Sequence, residues 1–130
     1  MPVPISVYMS VHNQTPNHFV RLYNALGYSA AGLRAAYQYE QAFRLEIYLC
    51  FIIIPLAVVL ADTPIELVLM MGSWIIVMIV ELFNSAIEAA VDRIGTEKHE
   101  LSGRAKDVGS AAVMVAVFLS LFTWLAILFL

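Results

Sequence analysis

The sequence contains few charged residues, and this argues against a soluble protein. Asp, Glu, Lys and Arg together make up 13% of the 130 residues, while hydrophobic residues make up 62%. A soluble domain of ordinary composition is about a quarter charged and about half apolar. The apolar excess lies in long runs, which indicates an integral membrane protein. The net charge of -3 gives no reason to expect nucleic acid as a partner.

Common sites for disulfides, metals and nucleotides are also missing. Cys50 is the only cysteine, so a disulfide within the chain and a cysteine-based metal site are excluded. The sequence has no G-x-x-x-x-G-K-[ST] loop and no glycine-rich motif of the protein-kinase type. If the protein handles a nucleotide, it does so without a common nucleotide-binding fold. Residues 1–18 have no positive n-region and no long apolar run, so we expect a disordered extension rather than a signal peptide.

Three stretches are long and apolar enough to cross a bilayer, which takes about 20 predominantly apolar residues each. They cover about residues 43–61, 65–91 and 108–130. Pro55 lies inside the first stretch, where a proline can kink a helix. The sequence therefore predicts a single all-α membrane domain over residues 19–130.

The turn between the first two spans lacks basic residues, and this predicts the orientation. It carries Asp62 and Glu66. The seven basic residues precede the first span or lie between the second and third: Arg21, Arg34, Arg44, Arg93, Lys98, Arg104 and Lys106. By the positive-inside rule, the N-terminus and residues 93–107 face the cytoplasm and the C-terminus lies outside.

The segment before the first span has helical periodicity. Phe19, Leu22, Tyr23 and Leu26 recur at a spacing that places them on one face of a helix, and Gly27 and Gly32 interrupt the pattern. An amphipathic helix on the cytoplasmic membrane surface fits this pattern. It could serve as a simple anchor or as a lid over a site in the lipid interface.

Polar residues interrupt the end of the second span at a spacing that also matches one helix face. They are Glu81, Asn84, Glu88 and Asp92, with Ser85 beside them. Glu81 lies roughly 24 Å along a helix from Ile65, near the inner boundary of a hydrocarbon core of about 30 Å. A protein that acts on a membrane lipid with a water-soluble co-substrate needs polar groups at this depth. The alternative is that these groups join helices in an oligomer.

The residue types at this end of the spans favour a hard metal ion. Carboxylates without cysteine and with few histidines are typical of Mg²⁺ sites, in which one or two carboxylates act together with substrate phosphates. Glu88 lies near the cytoplasmic interface, and Glu40 is the other carboxylate expected there. The mixed charges of residues 93–107 are either solvated surface or part of this site, and Lys106 and Asp107 lie closest to the third span.

Two segments resemble a known family. VELFNSAIEAAVDRIGTEKHELSGRAKDVGSAAV (residues 80–113) resembles the signature region of the bacterial integral-membrane diacylglycerol kinases, and GYSAAGLRAAYQYEQAFRLE (residues 27–46) resembles their surface helix and entry to the first span. The resemblance covers about residues 18–130. It implies a homotrimeric helical bundle in the bacterial inner membrane that transfers the ATP γ-phosphate to diacylglycerol, giving phosphatidic acid for phospholipid metabolism.

The resemblance also implies a role for individual residues. Glu81 matches the catalytic base, with Asn84, Lys106 and Asp107 assigned to the same catalytic set. Glu40 and Glu88 match carboxylates that hold the Mg²⁺ ions bridging the ATP phosphates. The positions that contact ATP are matched by Arg21, Tyr28, Glu40, Glu88, Glu97, Lys98, His99, Lys106 and Asp107. The positions near the lipid are matched by Arg21, Arg34, Arg44, Glu46, Glu81 and Ser110.

Two other functions compete with this interpretation. Some relatives of the same fold phosphorylate undecaprenol, which also presents a primary hydroxyl at the interface. A small transporter or channel is the alternative of another class, because intramembrane carboxylates are common in transporters. A transporter needs polar groups near the midplane and toward the outer side, whereas the stretch after Glu66 is nearly bare of them.

Overall fold

The computed structural model describes residues 17–95 and 97–130. Over these residues the chain is helical and contains no strand, so the predicted all-α class is confirmed there. The helices are α1 (His18–Tyr39), α2 (Gln41–Leu60), α3 (Pro64–Ile94) and α4 (Glu100–Phe129). Of the described residues, those up to Arg34 form one compact unit and those from Ala35 onward form another. The extension predicted for residues 1–18 lies outside the described residues, except for Asn17 and His18.

The prediction of three membrane spans is confirmed in number. α2, α3 and α4 have mean hydropathies of 2.3, 2.1 and 2.5 in their most apolar windows and are long enough to cross a bilayer. With 31 residues, α3 is about 46 Å long, which exceeds the hydrocarbon thickness of about 30 Å. One end of α3 therefore extends beyond the hydrocarbon. The predicted orientation of the spans stays a prediction.

α4 begins earlier than the apolar pattern suggests. The helix starts at Glu100, although the apolar stretch starts only at residue 108. His99 caps it, since its Nδ1 accepts a hydrogen bond from the backbone N–H of Leu101 at 3.2 Å. Hydropathy reports the part of a helix that suits lipid, and a polar first part is invisible to it. Lys106 and Asp107 are therefore helical and not part of a loop.

α1 is continuous through both glycines that interrupt its apolar pattern. Gly27 and Gly32 lie inside the helix with negative φ angles, and a Cβ at either position would meet nothing within 4 Å. Glycine lowers helix propensity but does not end a helix by itself. The helix itself is confirmed, whereas its amphipathic character and its placement on the membrane surface stay predictions.

α1 and α2 are separated by one extended residue, Glu40. The Arg44 Nη1 donates to the carbonyls of Tyr37 (3.1 Å) and Gln38 (2.7 Å), which belong to the last turn of α1 and have no partner within that helix. The hydroxyls of Tyr37 and Tyr48 lie 3.1 Å apart, and this hydrogen bond raises the pKa of Tyr37. Arg44 thus joins two helices, which is a role that the resemblance did not suggest.

The turn into α3 explains the Glu66 carboxylate at the otherwise apolar end of the spans. Thr63 caps α3 by accepting a hydrogen bond from the N–H of Glu66 at 3.2 Å, and Pro64 occupies the first helical position. Glu66 in turn accepts a hydrogen bond from the N–H of Asp62 at 2.8 Å. This reciprocal arrangement resembles a capping box and assigns Glu66 a local structural role.

α3 packs against α4 through polar contacts that lie in the middle of the spans. The Ser73 hydroxyl donates to the Met70 carbonyl at 2.9 Å and lies 3.2 Å from the Ser120 hydroxyl of α4. The Trp124 indole N–H donates to the same Met70 carbonyl at 3.1 Å. Hydroxyl and indole groups inside a membrane need partners within the protein, so these bonds set the register between the two helices.

A second face of α3 packs against α2 through sulfur contacts. The Trp74 indole N–H donates to the Cys50 Sγ at 3.3 Å, and that Sγ lies 3.6 Å from the Met78 Sδ. Cys50 is half-buried and acts as a small packing residue between the two helices. The contacts place Cys50 of α2 beside the turn of α3 between Trp74 and Met78.

The serine pair between α3 and α4 can be tested with a double-mutant cycle. Ser73→Ala and Ser120→Ala remove the two hydroxyls of one interhelical hydrogen bond, and we expect a coupling free energy of about 0.6 kcal/mol, the mean for such bonds in membrane proteins. The free energy of unfolding would be measured by SDS titration in mixed micelles.

A matched cycle provides the control for the serine pair. Thr123 bonds the carbonyl of Leu119 in its own helix, so Ser73→Ala combined with Thr123→Val should show no coupling. Equal coupling in the two cycles would contradict the interhelical hydrogen bond.

Candidate active site

The polar face predicted near the end of the second span forms one continuous line on α3. It consists of Glu81, Asn84, Ser85, Glu88 and Asp92. The first three side chains are buried, Glu88 is half-buried and Asp92 is exposed. Glu81 is only 6% exposed, whereas the Asp92 side chain is 65% exposed. The face therefore runs from a buried carboxylate to a solvated one.

Carboxylates from two helices gather around Glu81. Glu46 of α2 is buried and lies within electrostatic reach of Glu81. Glu40, at the start of α2, and Glu88, two turns along α3, also repel Glu81. Like charges this close disfavour one another, and a bound cation relieves the repulsion. The electrostatics of the cluster therefore suit a cationic ligand.

Asn84 occupies the centre of the polar face. Its Nδ2 donates to the Glu88 Oε1 at 3.2 Å, which orients the Glu88 carboxylate. On its other side Asn84 packs against the backbone of α4 at Gly109, where a Cβ would overlap the Asn84 Oδ1 and lie 3.3 Å from its Cγ. Only glycine leaves room for Asn84 in this position. The sequence interpretation did not single out Gly109, although a glycine inside an apolar span is a sign of close helix approach.

Three buried polar atoms in this region lack a partner among the described residues. They are the Glu46 Oε2, the Asn84 Oδ1 and the Ser85 Oγ. Buried polar atoms are nearly always hydrogen-bonded to protein or ordered water. Three such atoms on neighbouring turns of α2 and α3 indicate a place that a ligand, an ion or water completes. Ser85 is thereby added to the candidate site.

A cation from α4 reaches the exposed end of the polar face. The Lys106 Nζ lies 2.6 Å from the Asp92 Oδ1. Glu88 is also within electrostatic reach of Lys106. The early start of α4 makes this possible, because it holds Lys106 on a helix that packs along α3.

The connection between α3 and α4 encloses a cavity of about 460 Å³. Its polar lining residues are Asp92, Glu97, Lys98, His99, Glu100 and Lys106. Four of the residues assigned to ATP from the resemblance are thus close together. Asp92 and Glu100 line the same cavity and were not assigned there.

The remaining predicted site residues are found on two helices. Asp107 and Ser110 are exposed on α4, on either side of Gly109 along the chain. The residues of the first compact unit are each exposed on α1: Arg21, Tyr28 and Arg34. The roles expected for all of them stay predictions.

The residues present are compatible with Mg²⁺. Within residues 17–95 and 97–130, no three His, Cys, Asp or Glu side chains converge as a ready-made metal cage. Mg²⁺ does not require one, since it keeps several waters and binds one or two carboxylates together with phosphate oxygens. Glu88, which Asn84 orients, and Glu40 are ligands of the type that such an ion takes.

Comparison with known proteins identifies the family. The model of the family described as prokaryotic diacylglycerol kinase matches residues 27–128. The chain belongs to the prokaryotic diacylglycerol kinase family. The resemblance seen in the sequence motifs is confirmed, and so is the prediction that the chain is an enzyme.

Individual relatives match over nearly their whole length. The diacylglycerol kinase of Haemophilus influenzae is 53% identical over 108 residues, which are 83% of this chain and 92% of that protein. The Escherichia coli diacylglycerol kinase is 52% identical over 110 residues, 85% of this chain and 90% of that protein. The protein of the same name from Pseudomonas aeruginosa is 48% identical over 108 residues, 83% and 88% of the two chains.

The contact between Gly109 and Asn84 can be tested by adding one methyl group. Gly109→Ala should displace Asn84 and lower diacylglycerol kinase activity by about tenfold or more, because small misplacements in an active site are costly. Helix propensity alone favours alanine over glycine, so the loss would not come from α4 itself. Gly72→Ala is the matched control, since Gly72 lies inside α3 and a Cβ there meets nothing within 4 Å. Equal activity of the two variants would contradict the contact.

Proposed function

We propose that this enzyme transfers the γ-phosphate of ATP to the free hydroxyl of diacylglycerol, giving phosphatidic acid for phospholipid metabolism. The reaction takes place at the cytoplasmic face of the bacterial inner membrane. The observation that carries the proposal is the polar face of α3, which runs from the buried Glu81 to the solvated Asp92. Such a face brings a lipid hydroxyl and a water-soluble nucleotide to one line of side chains.

Glu81 is the general base in this proposal. Its carboxylate accepts the proton of the acceptor hydroxyl while the hydroxyl oxygen attacks the γ-phosphorus and the bond to the β-phosphate oxygen breaks, releasing ADP. Its burial among apolar spans supports the role, because a lipid hydroxyl arrives from that side. Asn84, three residues further along, keeps the neighbouring Glu88 in place.

Glu88 and Glu40 hold Mg²⁺ in the proposal. When bound, the ion offsets the negative charge of the ATP phosphates and helps to position them. The support is electrostatic, since both carboxylates lie near Glu81 and repel it. Asn84 directs one oxygen of Glu88 and leaves the other for the ion.

The nucleotide binds at the cavity between α3 and α4. Glu97, Lys98 and His99 line it together with Lys106. Lys106 is placed to offset the charge that develops on the transferred phosphoryl group. Asp107 and two residues of α1, Arg21 and Tyr28, are assigned to ATP from the family resemblance.

The acceptor lipid lies against α2 and α3. The buried Glu46, which has an unpartnered oxygen, supports a polar contact with the lipid at this place. The other lipid contacts come from the family resemblance: Arg21, Arg34, Arg44 and Ser110. The names of the relatives support diacylglycerol as the acceptor, since each is called a diacylglycerol kinase.

A homotrimer completes the proposal. In a single chain only 17%, 22% and 11% of the apolar windows of α2, α3 and α4 are buried. Most of the surface of the spans is therefore covered by lipid or by other copies of the chain. One chain also offers few groups for a closed site, and a trimer would add some.

The acceptor can be identified with the purified enzyme in mixed micelles. We expect ATP-dependent phosphorylation of a diacylglycerol at a higher kcat/KM than that of undecaprenol. Both lipids present a primary hydroxyl, so the comparison isolates recognition of the rest of the lipid. Preferential phosphorylation of undecaprenol would overturn the choice of diacylglycerol as the acceptor. The proposal that the protein is a lipid kinase would still stand.

The role of Glu81 can be tested by replacing its carboxylate with an amide. Glu81→Gln should lower kcat by about 10²- to 10⁴-fold, the usual contribution of a general base, with little change in the binding of a non-hydrolysable ATP analogue. Asp62→Asn is the control, because Asp62 is an exposed carboxylate at the other end of the spans and has no proposed role in the reaction. A Glu81→Gln enzyme with full activity would remove Glu81 from the mechanism.

A further inference from the structure

Asp92 has so far no role in the proposed reaction, although it forms a short ion pair in the site. Its Oδ1 lies 2.6 Å from the Lys106 Nζ, and both residues line the nucleotide cavity. The pair links the last turns of α3 to the first turns of α4. Lys106 is the cation proposed to meet the transferred phosphate, so its position before the nucleotide arrives matters.

Lys106 has two carboxylates within reach and pairs with the one that is not a proposed metal ligand. Glu88 attracts Lys106 electrostatically, but the direct contact is with Asp92. Glu88 instead accepts a hydrogen bond from Asn84 at 3.2 Å. If Lys106 moved onto Glu88, its charge would oppose a cation at that carboxylate.

Because Asp92 is the more solvent-exposed member of the ion pair, it can give up its partner Lys106 easily. The Asp92 side chain is 65% exposed, whereas that of Lys106 is 38% exposed. An exposed ion pair contributes little free energy, because water solvates its members when they separate. Asp92 can therefore lose its partner at small cost. Lys106, which is less solvated, gains more from having an anion beside it at all times.

We propose that Asp92 is a positioning residue for Lys106. This inference rests on the function proposed above. Without nucleotide, Asp92 holds the ammonium group away from Glu88, so that Glu88 keeps its full charge for the divalent cation. When MgATP enters the cavity, a phosphate oxygen replaces Asp92 as the partner of Lys106. Asp92 touches neither the metal nor the acceptor and acts through Lys106 alone.

The test compares Asp92→Asn with Glu100→Gln in the full-length enzyme. Both changes remove one negative charge from the lining of the same cavity, but Glu100 forms no ion pair among the described residues. Binding of Mn²⁺ without ATP or lipid would be measured by electron paramagnetic resonance. The Mg²⁺ concentration for half-maximal kinase activity would be measured in parallel.

We expect Asp92→Asn to weaken Mn²⁺ binding about two- to fivefold more than Glu100→Gln does, because Lys106 turns to Glu88 when Asp92 loses its charge. The Mg²⁺ requirement should rise by a similar factor. Asp92→Glu keeps the charge and should restore both values. A purely structural role would lower thermal stability without changing metal affinity, so equal Mn²⁺ affinities of Asp92→Asn and Glu100→Gln would overturn the proposal.

Glu88→Gln separates this outcome from a failure of the proposed function. If Glu88→Gln loses Mn²⁺ and Asp92→Asn binds it like the control, only the role of Asp92 is wrong. If Glu88→Gln binds Mn²⁺ like the unmodified enzyme, Glu88 is not a metal ligand. The proposed metal site and the role of Asp92 then fail together.

Discussion

A polar side chain in a hydrocarbon environment must find its partner inside the protein, and this requirement organises α3 along its whole length. In the middle of the span the partners are other helices, through the hydroxyls of Ser73 and Ser120 and the indole of Trp74 on Cys50. Toward the carboxyl end of α3, some buried polar atoms have no partner among the described residues. They include oxygens of Asn84 and of Glu46 on the neighbouring α2, and we propose that a bound ligand, an ion or water meets the requirement there.

The number and type of the helices could be predicted from the sequence, because long apolar runs and helical periodicity are local signals. The limits of the helices could not. α4 extends back to Glu100 because His99 caps it, and a polar helical turn has no hydropathy signal. Gly27 and Gly32 interrupt the apolar pattern of α1 without ending the helix, because glycine only weakens a helix when no turn requires it.

The composition of the polar face could also be predicted, since helical spacing places Glu81 and Glu88 on one side of a single helix. Contacts between helices could not, because they depend on the register of α3 against α4. The fit of Asn84 against Gly109 and the pairing of Lys106 with Asp92 belong to this class. Register follows from packing at many positions at once, and no short motif encodes it.

The account as a whole claims that the lipid hydroxyl and the nucleotide meet on the polar face of α3. The most direct measurement is a structure of the enzyme with Mg²⁺, a non-hydrolysable ATP analogue and diacylglycerol. The account predicts that the acceptor hydroxyl lies within hydrogen-bond reach of Glu81, about 2.6–3.2 Å. It also predicts that the metal ion lies on Glu88. An acceptor hydroxyl bound away from Glu81, with the nucleotide phosphates away from Glu88, would contradict it.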